Sequence, residues 1–292
     1  MYLGAAGMVT LDCLKYTPES LKKVSEIGLT VHNVLVSNPK IISESDILKI
    51  KQSFDLSGLK IGQTNGRYGG GLVSENESER RETIEFVKKM CELTSNLGSS
   101  NTYLRPGSLN QSGPWLPHPE NHSNKTFDRL VDSTKQICIA AQNEGIKLSI
   151  EGGIVSPLYS AKKVKDFIDA VGSTTLGFNF DPVNFISSLY EAYDTKKFMS
   201  VFFELLEDKI IGAHMKDFKI IDSLLIHFEE TEIGTGLIDH SYYLEMMEKV
   251  CPDGDILIEH IPSNKFKSAY EKVNNYSEKL QINWQSYKSW NY

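Results

Sequence analysis

The chain has 292 residues, 40% of them hydrophobic, a length and composition that suit one large buried core. Its formal net charge is −7 and it has no Lys/Arg-rich tract, which argues against a non-specific nucleic-acid surface. No apolar run approaches the ~18 residues of a membrane span. Met1–Val9 lacks the features of a secretory signal, and Cys13, Cys91, Cys138 and Cys251 form no CxxC pair. A reducing, cytoplasmic setting without disulfides is expected.

Short β-branched runs alternate with longer amphipathic stretches. The first run is Leu3–Val9. Thr17-Pro18 then reads as a helix start, with Leu21, Val24 and Ile27 on the inner face and Gly28 closing it. The second run, Leu29–Val36, precedes a helix over about 44–54. The third, Leu59–Gln63, leads through the glycine-rich segment 65–71 to a helix with Ile84, Val87, Met90 and Cys91 at 3–4 spacing, closed by Gly98. The fourth, Thr102–Arg105, is followed by a long loop, Pro106–His122, and then by a helix that Gly145 ends. The fifth and sixth runs, Ile146–Glu151 and Leu176–Asp181, each precede a helical stretch, the first closed by Gly172 and the second containing Phe198 to Leu206. The seventh, Ile210–His214, is paired with a helix starting near Asp239. The eighth, Ile256–Glu259, is followed by a last helix carrying Phe266, Tyr270, Val273 and Leu280. Eight β-then-α units imply parallel strands, most simply closed into a (β/α)8 TIM barrel, an α/β fold, with residues 1–292 as a single domain. The alternative, an open doubly wound sheet, lacks a GxGxxG after the first strand.

In such a barrel the functional site forms where strands end. The last four runs finish in Glu151, Asp181, His214 and Glu259. One carboxylate at a strand end is usually a helix cap. Three in one barrel mouth repel each other unless a cation neutralises them. The expectation is one divalent metal ion bound by Glu151, Asp181, His214 and Glu259. Three carboxylates and an imidazole suit Mn²⁺ first, with Mg²⁺, Co²⁺ and Zn²⁺ also compatible. Strands five and eight face each other across the ring, so Glu151 and Glu259 can flank a substrate and exchange protons with it.

The segments Ile150-Glu151-Gly152, Phe180-Asp181-Pro182-Val183-Asn184, Ala213-His214-Met215-Lys216-Asp217, Gly234-Thr235-Gly236-Leu237-Ile238-Asp239 and Ile258-Glu259-His260 resemble the sugar phosphate isomerase/epimerase family, the xylose-isomerase-like barrels. The resemblance is strongest over residues 146–262. It implies the same four metal ligands, with both glutamates as the catalytic proton-transfer pair. It also implies a metal-dependent isomerase or epimerase acting on a ketose or keto-polyol through an enediolate. A lyase or dehydratase acting on a keto-sugar, keto-inositol or 3-keto-glycoside would use the same groups. Ketose 3-epimerases often carry a His three residues after the aspartate ligand; here Asn184 stands there, able to hydrogen-bond a hydroxyl but not to titrate. Abasic-site endonucleases share the barrel, but that reading predicts more His and Glu ligands and a basic groove, against seven His and a negative charge. The expected partner is therefore a small sugar or keto-polyol, with no nucleic acid and no membrane. The family commonly forms dimers or tetramers, so a homodimer or homotetramer is implied. The aromatic tail Trp284–Tyr292 either packs on a neighbour or covers the barrel's own helices.

Further substrate contacts are expected from Arg105, which can grip a phosphate, a carboxylate or a hydroxyl or else pair with a metal-site carboxylate. In the long loop, Trp115 can stack on a sugar face and His118 can reach a polar group. Lys216 and Asp217 either contact substrate or form a rim ion pair. Strand alternation points His260 away from the side of Glu259, which favours a structural role. Gly234-Thr235-Gly236 is a fragment of a phosphate-cradling turn.

Overall fold

The computed structural model describes residues 1–287. Its strands are β1 (Tyr2–Ala5), β2 (Val31–Val36), β3 (Lys60–Gly66), β4 (Asn101–Leu104), β5 (Lys147–Ile150), β6 (Leu176–Phe180), β7 (Ile210–Met215), β8 (Asp217–Ile221), β9 (His227–Thr231) and β10 (Asp255–Ile258). Eight of them pair in parallel and close into a barrel in the order β1-β10-β7-β6-β5-β4-β3-β2. The helices are α1 (Pro18–Ser25), α2 (Glu44–Leu56), α3 (Glu77–Leu97), α4 (Asn124–Asn143), α5 (Ala161–Val171), α6 (Leu189–Tyr193), α7 (Thr195–Leu206), α8 (His240–Val250) and α9 (Phe266–Lys279). The expected TIM barrel is the observed fold.

The helices start and stop where their capping residues dictate. Thr17 accepts from the Ser20 amide with Pro18 in the first turn, and Asn76 accepts from the amides of Ser78 and Glu79. Gly98 and Gly172 end α3 and α5 in the left-handed conformation, at φ 77° and 67°. The apolar faces read from sequence are buried: Ile84, Val87, Met90 and Cys91 on α3, and Val164, Phe167, Ile168 and Val171 on α5. Behind β6, Phe178 and Phe180 point outward to Phe202 and Phe203 of α7, with ring centroids as close as 5.1 Å. All four cysteines are free and buried. Among the described residues, no helix is long and apolar enough to cross a membrane.

Three segments differ from the sequence reading. The first strand ends at Ala5 instead of Val9, because Gly7 turns the chain at φ 71° and donates to Asn33 Oδ1. β3 continues to Gly66 and so takes Asn65 out of the glycine-rich loop. The antiparallel hairpin β8–β9, inserted between β7 and α8, was not expected; most of its side chains are at least partly exposed and carry little apolar pattern.

The described part of the C-terminal tail packs on its own barrel, at the end away from the metal-competent residues. The Gln285 amide donates to the Met1 carbonyl at 2.8 Å, Thr30 Oγ1 donates to the Gln285 carbonyl, and Trp284 Nε1 donates to Ser277 Oγ. Residues 288–292 of that tail lie outside the described residues.

Candidate metal centre and active site

Side chains alternate across a strand, so residues two apart share a face. On β6, Phe178 and Phe180 face the helices, which turns Asn179 and Asp181 into the barrel. The same holds for Ser149 on β5 with Glu151 just past its end, Tyr103 on β4 with Arg105 just past its end, and His214 on β7 with Lys216 just past its end. Glu151, Asp181 and His214 are buried, and Glu259 nearly so. One ligand atom from each of the four lies within 4.8 Å of the other three. His214 Nδ1 is 3.0 Å from Glu151 Oε1 and 3.3 Å from Glu259 Oε2.

The donor set fits a cation. His214 Nδ1 and Asp181 Oδ2 are buried and accept or donate no well-directed hydrogen bond, although both lie against charged neighbours. His214 Nε2 faces Gln63 Oε1 at 3.1 Å. A glutamine oxygen only accepts, so Nε2 carries a proton, and Nδ1 is the nitrogen left to face the carboxylates and, once deprotonated, a cation. Gln63 is itself held, donating from Nε2 to Ser149 Oγ (2.8 Å) and Asn179 Oδ1 (3.1 Å), while Asn179 Nδ2 donates to Glu151 Oε1 (3.2 Å). Asp181 has two tasks: Oδ1 caps the short turn Pro182–Phe185 by accepting from the Val183 amide, and Oδ2 points into the cluster.

The charges are uneven around the cluster. Lys216 Nζ lies 2.9 Å from Asp181 Oδ2 and 3.4 Å from Glu259 Oε1, and donates to Asn184 Oδ1 at 2.7 Å. Burial opposes charge on Glu259, yet His214 and Lys216 outweigh it and hold this carboxyl well below the usual carboxylate range. Burial pushes Asp181 up to about 7, against the pull of Lys216. Burial, and then the charge of Glu151, raise the Tyr103 phenol well above its ordinary value, so it stays a donor to Glu151 Oε2. Both glutamates share His214; beyond it, Glu151 meets two neutral donors, Tyr103 and Asn179, whereas Glu259 meets Lys216 and His260.

Above the cluster is a cavity of about 420 Å³, lined by Glu151, His214 and Glu259 together with Arg105, Trp115, Asn184 and Lys216. That size is ordinary for a small-molecule site. Asp181 is fully buried beneath it. Two expected contacts lie elsewhere. His118 caps the turn Pro119–His122, its Nδ1 accepting from the Glu120 amide, and lines a separate pocket. Asp217 points away from the cavity and accepts from the amides of Phe218, Gly234, Gly236 and Ile238 at 2.9–3.1 Å, with His240 at 3.2 Å. The Gly234-Thr235-Gly236 turn is thus a nest for this chain's own carboxylate and not for a phosphate. A Cβ on Gly236 would lie 2.2 Å from the Phe218 carbonyl, so the close approach requires glycine.

His260 reverses the alternation argument. The strand ends at Ile258, and His260 adopts φ 58°, which turns its ring back to the cavity rim. There Nδ1 meets Glu230 Oε1 at 2.9 Å and Nε2 lies 3.6 Å from Glu259 Oε1. The sequence reading missed Gln63, Tyr103, Asn179 and Glu230. Period-2 spacing from the ligands would have found Asn179, two before Asp181. Nothing local marks Gln63, which reaches the site from the third strand, or Glu230, which comes from the unexpected hairpin.

Residues 21–281 match the family described as a xylose isomerase-like TIM barrel. Comparison with curated proteins finds no match. Among solved structures the chain is similar to a D-tagatose 3-epimerase-like protein (19% identity, TM-score 0.75, covering 96% of this chain and 98% of that one). It is also similar to a xylose isomerase domain protein from Planctomyces limnophilus (19%, 0.72, 96% of each chain). A third is a xylose isomerase-like TIM barrel protein from Mycobacterium smegmatis in complex with magnesium (14%, 0.73, 96% of each chain). At these identities the likeness establishes the fold.

Proposed function

Because the chain belongs to the xylose isomerase-like TIM barrel family, we propose that it is a divalent-metal-dependent isomerase or epimerase acting on a ketose or related keto-polyol. The observation that carries this reading is the convergence of Glu151, Asp181, His214 and Glu259 beneath a sugar-sized cavity. Mn²⁺ is the ion we favour, from the three carboxylates and one imidazole. When bound, the ion polarises the substrate carbonyl and favours the enediolate that forms as the neighbouring carbon loses its proton.

The protein's own groups carry the proton. Glu259 sits among cationic neighbours that keep it ionised, which suits it to accept a proton. Glu151 lies three strands away in the ring, steadied by Tyr103 and Asn179. Uptake by one glutamate and return by the other to the opposite face inverts a carbon centre; return to the adjacent carbon interconverts ketose and aldose. Asn184, Lys216 and Trp115 line the cavity, which supports a role for the first two in binding hydroxyls and for Trp115 in stacking on the sugar. Asp181, buried and out of reach of substrate, acts as a ligand only. No nucleic acid or membrane enters this reading.

The test is incubation of the Mn²⁺-loaded protein with a panel of ketoses in D2O. Carbon-bound deuterium in a product with an intact skeleton is expected. Glu151→Gln and Glu259→Gln should each lower the rate by roughly 10²–10⁴-fold. Full activity in either variant would remove the acid/base assignment, and loss of water or of an aglycone from a keto-sugar would make the protein a lyase instead.

A further inference from the structure

The cations around the cavity differ in their partners. Lys216 is matched by Asp181, Glu230 and Glu259, and His260 by Glu230 and Glu259. Arg105 is not matched. Its Nη1 donates to the Tyr68 carbonyl, and its backbone amide donates to the Tyr68 hydroxyl at 2.7 Å. The guanidinium carbon lies 5.0 Å from the Tyr68 ring centroid and 5.9 Å from that of Tyr103. Among the described residues no carboxylate pairs with it, and its Nε is buried without an acceptor. The expected alternative, a pair with a metal-site carboxylate, does not form among the described residues: Glu151 is met instead by Tyr103, Asn179 and His214.

A guanidinium stays charged at any working pH, and leaving its donors unmet in a partly dry pocket is costly. It is also a planar fork that matches a carboxylate. Arg105 lines the same cavity as the metal-competent residues; it follows β4, which stands across the ring from β10 and three strands from β7, and Asn65 and Trp115 line the cavity too. The Gly234–Gly236 nest, which would suit a phosphate, is filled by Asp217. We propose that Arg105 is the receptor for a carboxylate on the substrate, so that the substrate is a keto sugar acid and not a neutral ketose. This rests on the reading of the cavity as a sugar isomerase or epimerase site. The reacting carbons lie over the glutamates, and the acid end of the chain is held by the Arg105 fork.

Three probes share one skeleton and differ at one carbon: D-fructose, D-fructose 6-phosphate and D-fructuronate. Binding to the Mn²⁺-loaded protein is measured by calorimetry and solvent deuterium exchange by NMR, in wild type, Arg105→Gln and Arg105→Lys. Wild type should bind D-fructuronate at least 10-fold more tightly than either other probe. Arg105→Gln should weaken that binding by roughly 10- to 100-fold and so remove the preference for the acid over D-fructose. Arg105→Lys, which keeps the charge and loses the fork, should fall between. Equal binding of the acid and the neutral sugar by wild type overturns the proposal without recourse to any variant, and so does preferred binding of the phosphate. Arg105-dependent binding of the acid with no exchange leaves the carboxylate site standing and removes the proposed reaction. Exchange that is indifferent to Arg105 does the reverse.

Discussion

His214 meets the metal-competent cluster through Nδ1 because Gln63 occupies Nε2. That contact sets both the tautomer and the ring plane, and Gln63 is fixed in turn by Ser149 and Asn179. Gln63→Leu keeps the volume and removes the acceptor. It should weaken Mn²⁺ binding by roughly 10- to 100-fold while leaving every ligand in place, as read by competition with a fluorescent chelator. An unchanged affinity would mean that the carboxylates alone orient the ring. At this scale the sequence was legible wherever a strand's alternation could be continued. The four expected ligands stand at strand ends, but the expectation that Asp217 contacts substrate alongside Lys216 overlooked the same period, which puts Lys216 at the cavity and Asp217 on the other face. It failed at His260, because alternation ends with the strand and a left-handed backbone at the next turn cannot be read from Glu259-His260-Ile261.

The hairpin β8–β9 brings Glu230 to the cavity rim, and what anchors the hairpin is Asp217 at its base. This buried carboxylate gathers the amides of Phe218, Gly234, Gly236 and Ile238, and so ties β8 to the loop leading into α8. Burial alone would raise its pKa, but His240 and those amides outweigh it and hold the carboxyl below the ordinary 3.8. A depressed carboxylate contributes stability that is present above the unfolded-state value and is lost as pH falls through the folded-state value. Asp217→Asn leaves one side-chain oxygen where two accepted. It should cost about 1.5–3 kcal/mol at pH 7 and flatten the acid limb of the stability curve below about pH 4, measured by urea unfolding across pH. A variant as stable as wild type would show that the hairpin is held by other contacts. Elements built on a β-then-α rhythm were legible from hydrophobic period and caps. The hairpin was not, because strands that bury little carry little pattern, and its anchor is read from sequence only as a glycine turn that resembles a phosphate site.

Across the whole barrel, the end bearing the cluster works against stability and the opposite end supports it. At the latter, Lys60 pairs with Asp255, and Gln285 and Trp284 hold the described tail against Met1 and Ser277. At the former, three carboxylates share a small buried volume. Asp181 shows the consequence. Burial first, then Glu151 and Glu259, raise its folded-state value from 3.8 to about 7 despite Lys216. A carboxyl raised on folding takes up a proton when the chain folds, so stability declines as pH rises from about 4 to about 7 and levels off above. His214, raised by Glu259 and Glu151 against its burial, contributes in the same sense: its stabilisation is full below the ordinary 6.5 and fades as pH passes the folded-state value. Glu259 acts oppositely, but only below its ordinary 4.5. The metal-stripped protein should therefore melt at lower temperature at pH 8 than at pH 5.5. Adding Mn²⁺ should reverse that order, because protons compete with the ion for Asp181 and His214. At a hundred times its Kd the ion should stabilise the fold by about 2.7 kcal/mol. Asp181→Asn should shrink the first effect to the part that His214 carries and abolish the response to Mn²⁺. A stripped protein that is more stable at pH 8 than at pH 5.5 would mean that Lys216 already neutralises the cluster, and that the cation the barrel was built around is its own lysine.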